Sequence, residues 1–136
     1  MDRNIGLWVD HKQAFLIRNG TKKVEVIDSK VKSRTHFSGG SRIRGTYNQR
    51  MDSELHHDDY YKSQLDKYYT QIILAIHNAD SIFIMGPGEA KLELKRALQR
   101  HKDLRNRLVK VEKADKMTIN QMIAHVRLFY ENTTNN

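Results

Sequence analysis

The segment Ser81-Ile82-Phe83-Ile84-Met85, closed by Gly86-Pro87-Gly88, does most to limit what this chain can fold into. An apolar run this short, stopped by turn-forming residues, reads as a strand buried on both sides. Such a strand needs helices on both faces of its sheet. The flanking sequence has the period to supply them. Before it, Tyr61, Leu65, Tyr68, Ile72 and Ile76 recur at steps of three and four, the stripe of a long helix over about 51–78. After it, Ala90, Leu94, Ala97 and Leu98 form the inner face of a helix over about 88–101. Glu89 lies in its first turn and Arg100, His101 and Lys102 at its end, as the helix dipole favours.

The remaining elements are shorter. Ile5 to Val9 reads as a buried strand ended by Asp10-His11, and Ala14 to Ile17 as a second. Asn19-Gly20 is a strong two-residue hairpin signal, because both central residues of a type I′ turn need positive φ. Val24 to Asp28 alternates as a third strand. Leu108 to Val111 is a fifth. Thr118 and Gln121 have capping-box spacing and open a last helix with Ile119, Met122, Ile123, Val126 and Phe129 as its core stripe. The expected order is β-β-β-α-β-α-β-α, a mixed five-stranded α/β sheet with the element order of the ribonuclease H-like fold. One domain over residues 1–131 is expected, with a frayed polar tail at 132–136.

Between the third strand and the long helix, residues 30–50 show no periodicity, and they read as a long loop. This stretch holds Lys30, Lys32, Arg34, Arg42, Arg44 and Arg50 and no acid. Residues 89–110 are a second, diluted basic stretch, with Glu89, Glu93 and Asp103 among its cations. The net charge is +8, so outside these two stretches the chain is mildly acidic. Clustered charge of one sign is the footprint of a polyanion binder. For 89–110 alone, a solubilising surface is the better reading. For the acid-free loop, binding is. Its adjacent Gly39 and Gly40 let backbone approach a crowded surface closely, and flanking cations supply phosphate contacts. Tyr47 is its candidate for stacking on a base, whereas helical spacing assigns Tyr61 and Tyr68 to the core.

The chain has no cysteine, which removes disulfides, thiolate metal sites and cysteine nucleophiles. It has no apolar run near the ~20 residues of a membrane span. No signal-peptide pattern is found, so a cytoplasmic location is expected. No nucleotide-binding glycine loop or Ser-His-Asp motif is found, and no cofactor or metal is implied. Asp10 could serve a two-metal nuclease with Glu54, but the set is incomplete, since Asp80 lies at the wrong end of the fourth strand. Asp10 therefore reads as a strand-ending turn residue. Asp52, His56 and Asp59 share a helix face within the run His56-His57-Asp58-Asp59, which reads better as a solvated helix start than as a metal site.

The segment Arg34-Thr35-His36-Phe37-Ser38-Gly39-Gly40-Ser41-Arg42-Ile43-Arg44, running on to Arg50 and the long helix, resembles a known loop. It is similar to the Gly-Gly-Gln loop of the middle domain of archaeal and eukaryotic class 1 peptide chain release factors. Gly86-Pro87-Gly88-Glu89-Ala90-Lys91 is similar to segments of bacterial relatives in that superfamily. The resemblance implies the ribonuclease H-like element order and binding to ribosomal RNA or tRNA through Lys30, Lys32, Arg34, His36, Gly39, Gly40, Ser41, Arg42, Arg44, Tyr47 and Arg50. Ser41 stands where the family has the glutamine that places water at the peptidyl-tRNA ester, and Gln49 lies eight residues on. Binding at the ribosome is thus implied more than ester hydrolysis. The ribosome-rescue relative Pelota likewise lacks the Gly-Gly-Gln motif. The chain has no counterpart of the codon-reading or C-terminal partner-binding domains, so stop-codon recognition is not implied. The alternatives are a residual peptidyl-tRNA hydrolase, a metal-dependent nuclease, or a module that docks on an acidic protein.

Overall fold

In a computed structural model, residues 3–31 and 47–134 are described, with side chains described over 3–31 and 59–133. The strands are β1 (Asn4–Val9), β2 (Gln13–Arg18), β3 (Val24–Asp28), β4 (Ser81–Gly86) and β5 (Leu108–Lys113). The helices are α1 (Tyr47–Ala75), α2 (Ala90–Gln99), the single turn α3 (Lys102–Arg105) and α4 (Ile119–Thr134). The five strands form one mixed sheet in the order β3-β2-β1-β4-β5. β1 pairs antiparallel with β2 and parallel with β4, and β5 runs parallel to β4. The α/β architecture is the one expected from the sequence.

Alternation along each strand divides the core in two. Ile5, Leu7 and Val9 of β1, with Ile82 and Ile84 of β4, meet Leu65, Tyr68, Ile72 and Ile76 of α1 and Ala90, Leu94 and Leu98 of α2. Trp8 of β1, with Phe83 and Met85 of β4, meets Met122, Val126 and Tyr130 of α4 on the opposite face. β4 is therefore buried on both sides, as its unbroken apolar run requires. The Tyr130 hydroxyl donates to the carbonyl of Ile5 and the Trp8 indole N–H to that of Asp115, fixing the α4 face. Burial pushes the Tyr130 phenol up to about 12, against its hydrogen bonds, which lower it. The capping box is present. The Gln121 N–H donates to Thr118 Oγ1 at 3.1 Å, and the Thr118 N–H to Gln121 Oε1 at 2.9 Å.

Several local expectations are corrected. Ile17 pairs with Val24, so six residues separate the paired positions and Asn19-Gly20 is not a two-residue hairpin. Only Gly20 takes positive φ there, 89°, and the Thr21 N–H closes a β-turn onto the Arg18 carbonyl at 3.1 Å. One left-handed residue at the third position is the type II requirement, not that of type I′. β3 is an edge strand, and its Val26 is exposed while Ile27 packs on the core. Ile119, the first residue of α4, is also exposed. α1 begins at Tyr47, so Tyr47 and Arg50 belong to its first turns and not to the preceding loop. α2 stops at Gln99, after which an extended His101 leads into α3.

Candidate functional site

β1, β4 and β5 are parallel, and β3 runs the same way through two antiparallel pairings, so their carboxyl ends share one edge of the sheet. The connection after β1 leads to β2 and the one after β4 leads to β5, on opposite sides.

Asp10 stands at this edge, just past the end of β1. Its Oδ1 accepts the N–H groups of Lys12 and Gln13, both at 2.8 Å, which is the turn-residue role expected from the sequence. The Tyr68 hydroxyl donates to the Asp10 carbonyl at 2.9 Å. Burial, then the charges of Asp10 and Asp28, holds the Tyr68 phenol far above its usual value. Beside it, His11 Nε2 lies 2.9 Å from Glu93 Oε1 on α2. The Tyr69 hydroxyl of α1 donates to the same oxygen at 2.6 Å. Burial, then the bond to Glu93 and its charge, raises the Tyr69 phenol strongly, so it remains a donor. The Tyr61 ring stands edge-on to His11, with centroids 6.5 Å apart. Gly86 and Gly88 carry positive φ, 153° and 63°, and turn the chain from β4 into α2, as turn-formers.

A groove of about 750 Å³ runs between α1 and α2 from this edge, with Tyr61, Tyr69 and Glu93 in its wall. Lys62, Arg96, Arg100 and His101 also line it, opposed by Asp59 and Asp66. The basic stretch 89–110 thus divides. Arg96 and Arg100 face the groove, whereas Arg107 Nη1 donates to the carbonyls of Ala79 at 2.8 Å and His77 at 3.5 Å, just past α1. Lys110 pairs with Glu112 at 3.1 Å, and Glu112 also meets His125 at 2.7 Å. That bond to His125 is the main cause holding the Glu112 carboxyl below its usual value, against its partial burial.

Arg107→Ala is therefore expected to cost about 1–2 kcal/mol of stability, the range for a partly buried charge-assisted bond, and to leave anion affinity unchanged. Arg100→Ala is expected to show the reverse. Urea titration and anion-binding isotherms of both variants check this.

Of the residues expected to bind, Lys30 is exposed at the exit of β3. It takes a left-handed φ of 57°, with its N–H on Asp28 Oδ1 at 2.7 Å. The Ser29 N–H ties this exit to the Lys12 carbonyl of the β1–β2 turn at 2.8 Å. Lys32, Arg34, His36, Gly39, Gly40, Ser41, Arg42 and Arg44 lie outside the described residues, as do the side chains of Tyr47 and Arg50. The side chains of Asp52, Glu54, His56, His57 and Asp58 lie outside them too, while Asp59 is exposed on the groove. Asp80 accepts the Arg3 N–H at 2.8 Å at the far edge of the sheet. Among the described residues, no three potential metal ligands converge, and no helix is long and apolar enough to cross a membrane.

The sequence reading missed the His11–Glu93–Tyr69 cluster. Its members are 82 and 24 positions apart along the chain, and no local motif joins them. Tyr69 alone left a trace, since Leu65, Tyr69 and Ile73 step by four beside the main stripe of α1.

No protein-family model matches the chain, and no curated protein matches it. Solved structures do. An archaeal protein superposes with a TM-score of 0.50 at 14% identity, over 97% of this chain and 37% of its own. An archaeal translation termination factor, aRF1, superposes with a TM-score of 0.40 at 14% identity, over 96% of this chain and 39% of its own. The chain spans well under half the length of either. At this identity the likeness to the first concerns the fold.

Proposed function

We propose that this chain is an RNA-binding module that acts at the ribosome or on tRNA, without hydrolysing the peptidyl ester. One observation carries the reading. The acid-free basic segment leaves β3 at Lys30, at the sheet edge from which the groove lined by Lys62, Arg96, Arg100 and His101 runs between α1 and α2. α1 returns the chain to that edge, since Tyr68 lies level with the end of β1 and the helix starts 21 residues earlier. Lys30, Lys32, Arg34, Arg42, Arg44 and Arg50 then make the phosphate contacts. Arginine suits this role because its fork takes two phosphate oxygens at once. His36 and Tyr47 supply base contacts, and Gly39-Gly40-Ser41 the close backbone approach. The likeness of this segment to the release-factor loop selects translation among RNA-directed roles. Ser41, shorter than the family's glutamine, is the reason ester hydrolysis is left out.

A salt series on a single-stranded RNA tests the reading. Engagement of four to six phosphates gives a slope of roughly −3 to −4 in log affinity against log salt. A slope near zero rejects it.

A further inference from the structure

We propose that His11 is a general base that cleaves bound RNA through the RNA's own 2′-hydroxyl, an inference that rests on the RNA-binding reading. The geometry assigns the proton. Glu93 Oε1 receives the Tyr69 hydroxyl at 2.6 Å and lies 2.9 Å from His11 Nε2. A carboxylate only accepts hydrogen bonds, so Nε2 carries the hydrogen. In the neutral ring Nδ1 is then the acceptor nitrogen, with its lone pair unused by Glu93. A carboxylate that holds one imidazole nitrogen protonated, leaving the other to take a proton, is the arrangement of a general base and its positioning residue.

The surroundings select the substrate. The His11 side chain is 37% exposed and lies just past the carboxyl end of β1. Its two neighbours Tyr61 and Glu93 line the groove between α1 and α2, and Arg96 follows Glu93 by one helical turn on the same wall. RNA brings a nucleophile, the 2′-hydroxyl, next to its own electrophile, the phosphate. A base and a cation beside the phosphate are therefore sufficient groups for one reaction. His11 Nδ1 takes the 2′-hydroxyl proton, O2′ bonds to phosphorus, and the P–O5′ bond breaks. The leaving 5′-oxygen takes a proton from water, and the imidazolium returns its own to the resulting hydroxide. The products are a 2′,3′-cyclic phosphate and a 5′-hydroxyl. Arg96 is placed to stabilise the charge that grows on the phosphate oxygens.

The test uses the full chain, an end-labelled single-stranded RNA and its all-2′-deoxy counterpart, in excess chelator, with binding measured alongside cleavage. The expected result is cleavage of RNA only, with cyclic-phosphate ends. At saturating protein, His11→Ala should cleave RNA at least a hundredfold more slowly and regain part of the rate when free imidazole is added. Glu93→Gln, a positioning change, should lower the rate while added imidazole leaves it unimproved. RNA bound but left intact overturns this inference and spares the binding reading. Cleavage that persists in His11→Ala, or that the deoxy strand also undergoes, overturns it equally. Failure to bind RNA at all removes both.

Discussion

Gly86→Ala is expected to lower the unfolding free energy by about 4 kcal/mol. A Cβ at this position would stand 2.1 Å from the carbonyl oxygen of Val9, on the neighbouring strand. That oxygen is backbone, so no side-chain rotation relieves the clash. The residue also has a φ of 153°, which side-chain-bearing residues rarely adopt. Backbone strain of about 1–3 kcal/mol and overpacking of about 1–3 kcal/mol act together here. The sum is a large fraction of the ~5–15 kcal/mol that holds a typical domain folded. Gly88→Ala is the comparison. Its φ is 63°, but nothing lies within 4 Å of the added atom. It should cost only about 1–2 kcal/mol, the strain of a left-handed residue. Urea unfolding of the two variants separates the effects. Equal midpoints would mean that the carboxyl ends of β1 and β4 are not held this closely together.

The second large effect is on binding. Replacing Arg42 and Arg44 together by alanine is expected to weaken RNA binding by roughly 30-fold or more, from about 1–3 kcal/mol for each charge-assisted hydrogen bond removed. The salt slope should fall by about 0.7 for each phosphate no longer engaged. Weakening without a change of slope would assign the two arginines to something other than phosphate. An unchanged urea midpoint in the same variant separates a loss of RNA-binding charge from a loss of fold.

Much of the architecture was legible because it rests on short-range periodicity. Ser81 to Met85 reads as doubly buried from its composition alone, and the α1 stripe from Tyr61 to Ile76 from its spacing. The Thr118 and Gln121 pair is a local exchange of two hydrogen bonds, visible in a three-residue interval. What failed depends on partners far along the chain. The Asn19-Gly20 turn was misjudged because the pairing of Ile17 with Val24 decides the loop length, not the dipeptide. Val26 alternates correctly for a strand, yet β3 is an edge and leaves that position in water. The His11–Glu93–Tyr69 cluster needs β1, α2 and α1 to be assembled before any of its bonds exists. In the sequence Glu93 is only an acid within a basic stretch. In the fold it is the residue that orients a histidine.

Co-sedimentation with ribosomes, for the wild type and Arg42→Ala/Arg44→Ala at low and high salt, bears most directly on the proposed role. If the basic segment binds the ribosome, the wild type pellets with it at low salt and is released at high salt, and the variant stays in the supernatant. Wild-type protein that remains in the supernatant at every salt concentration, or a variant that pellets as well as the wild type, would contradict that role.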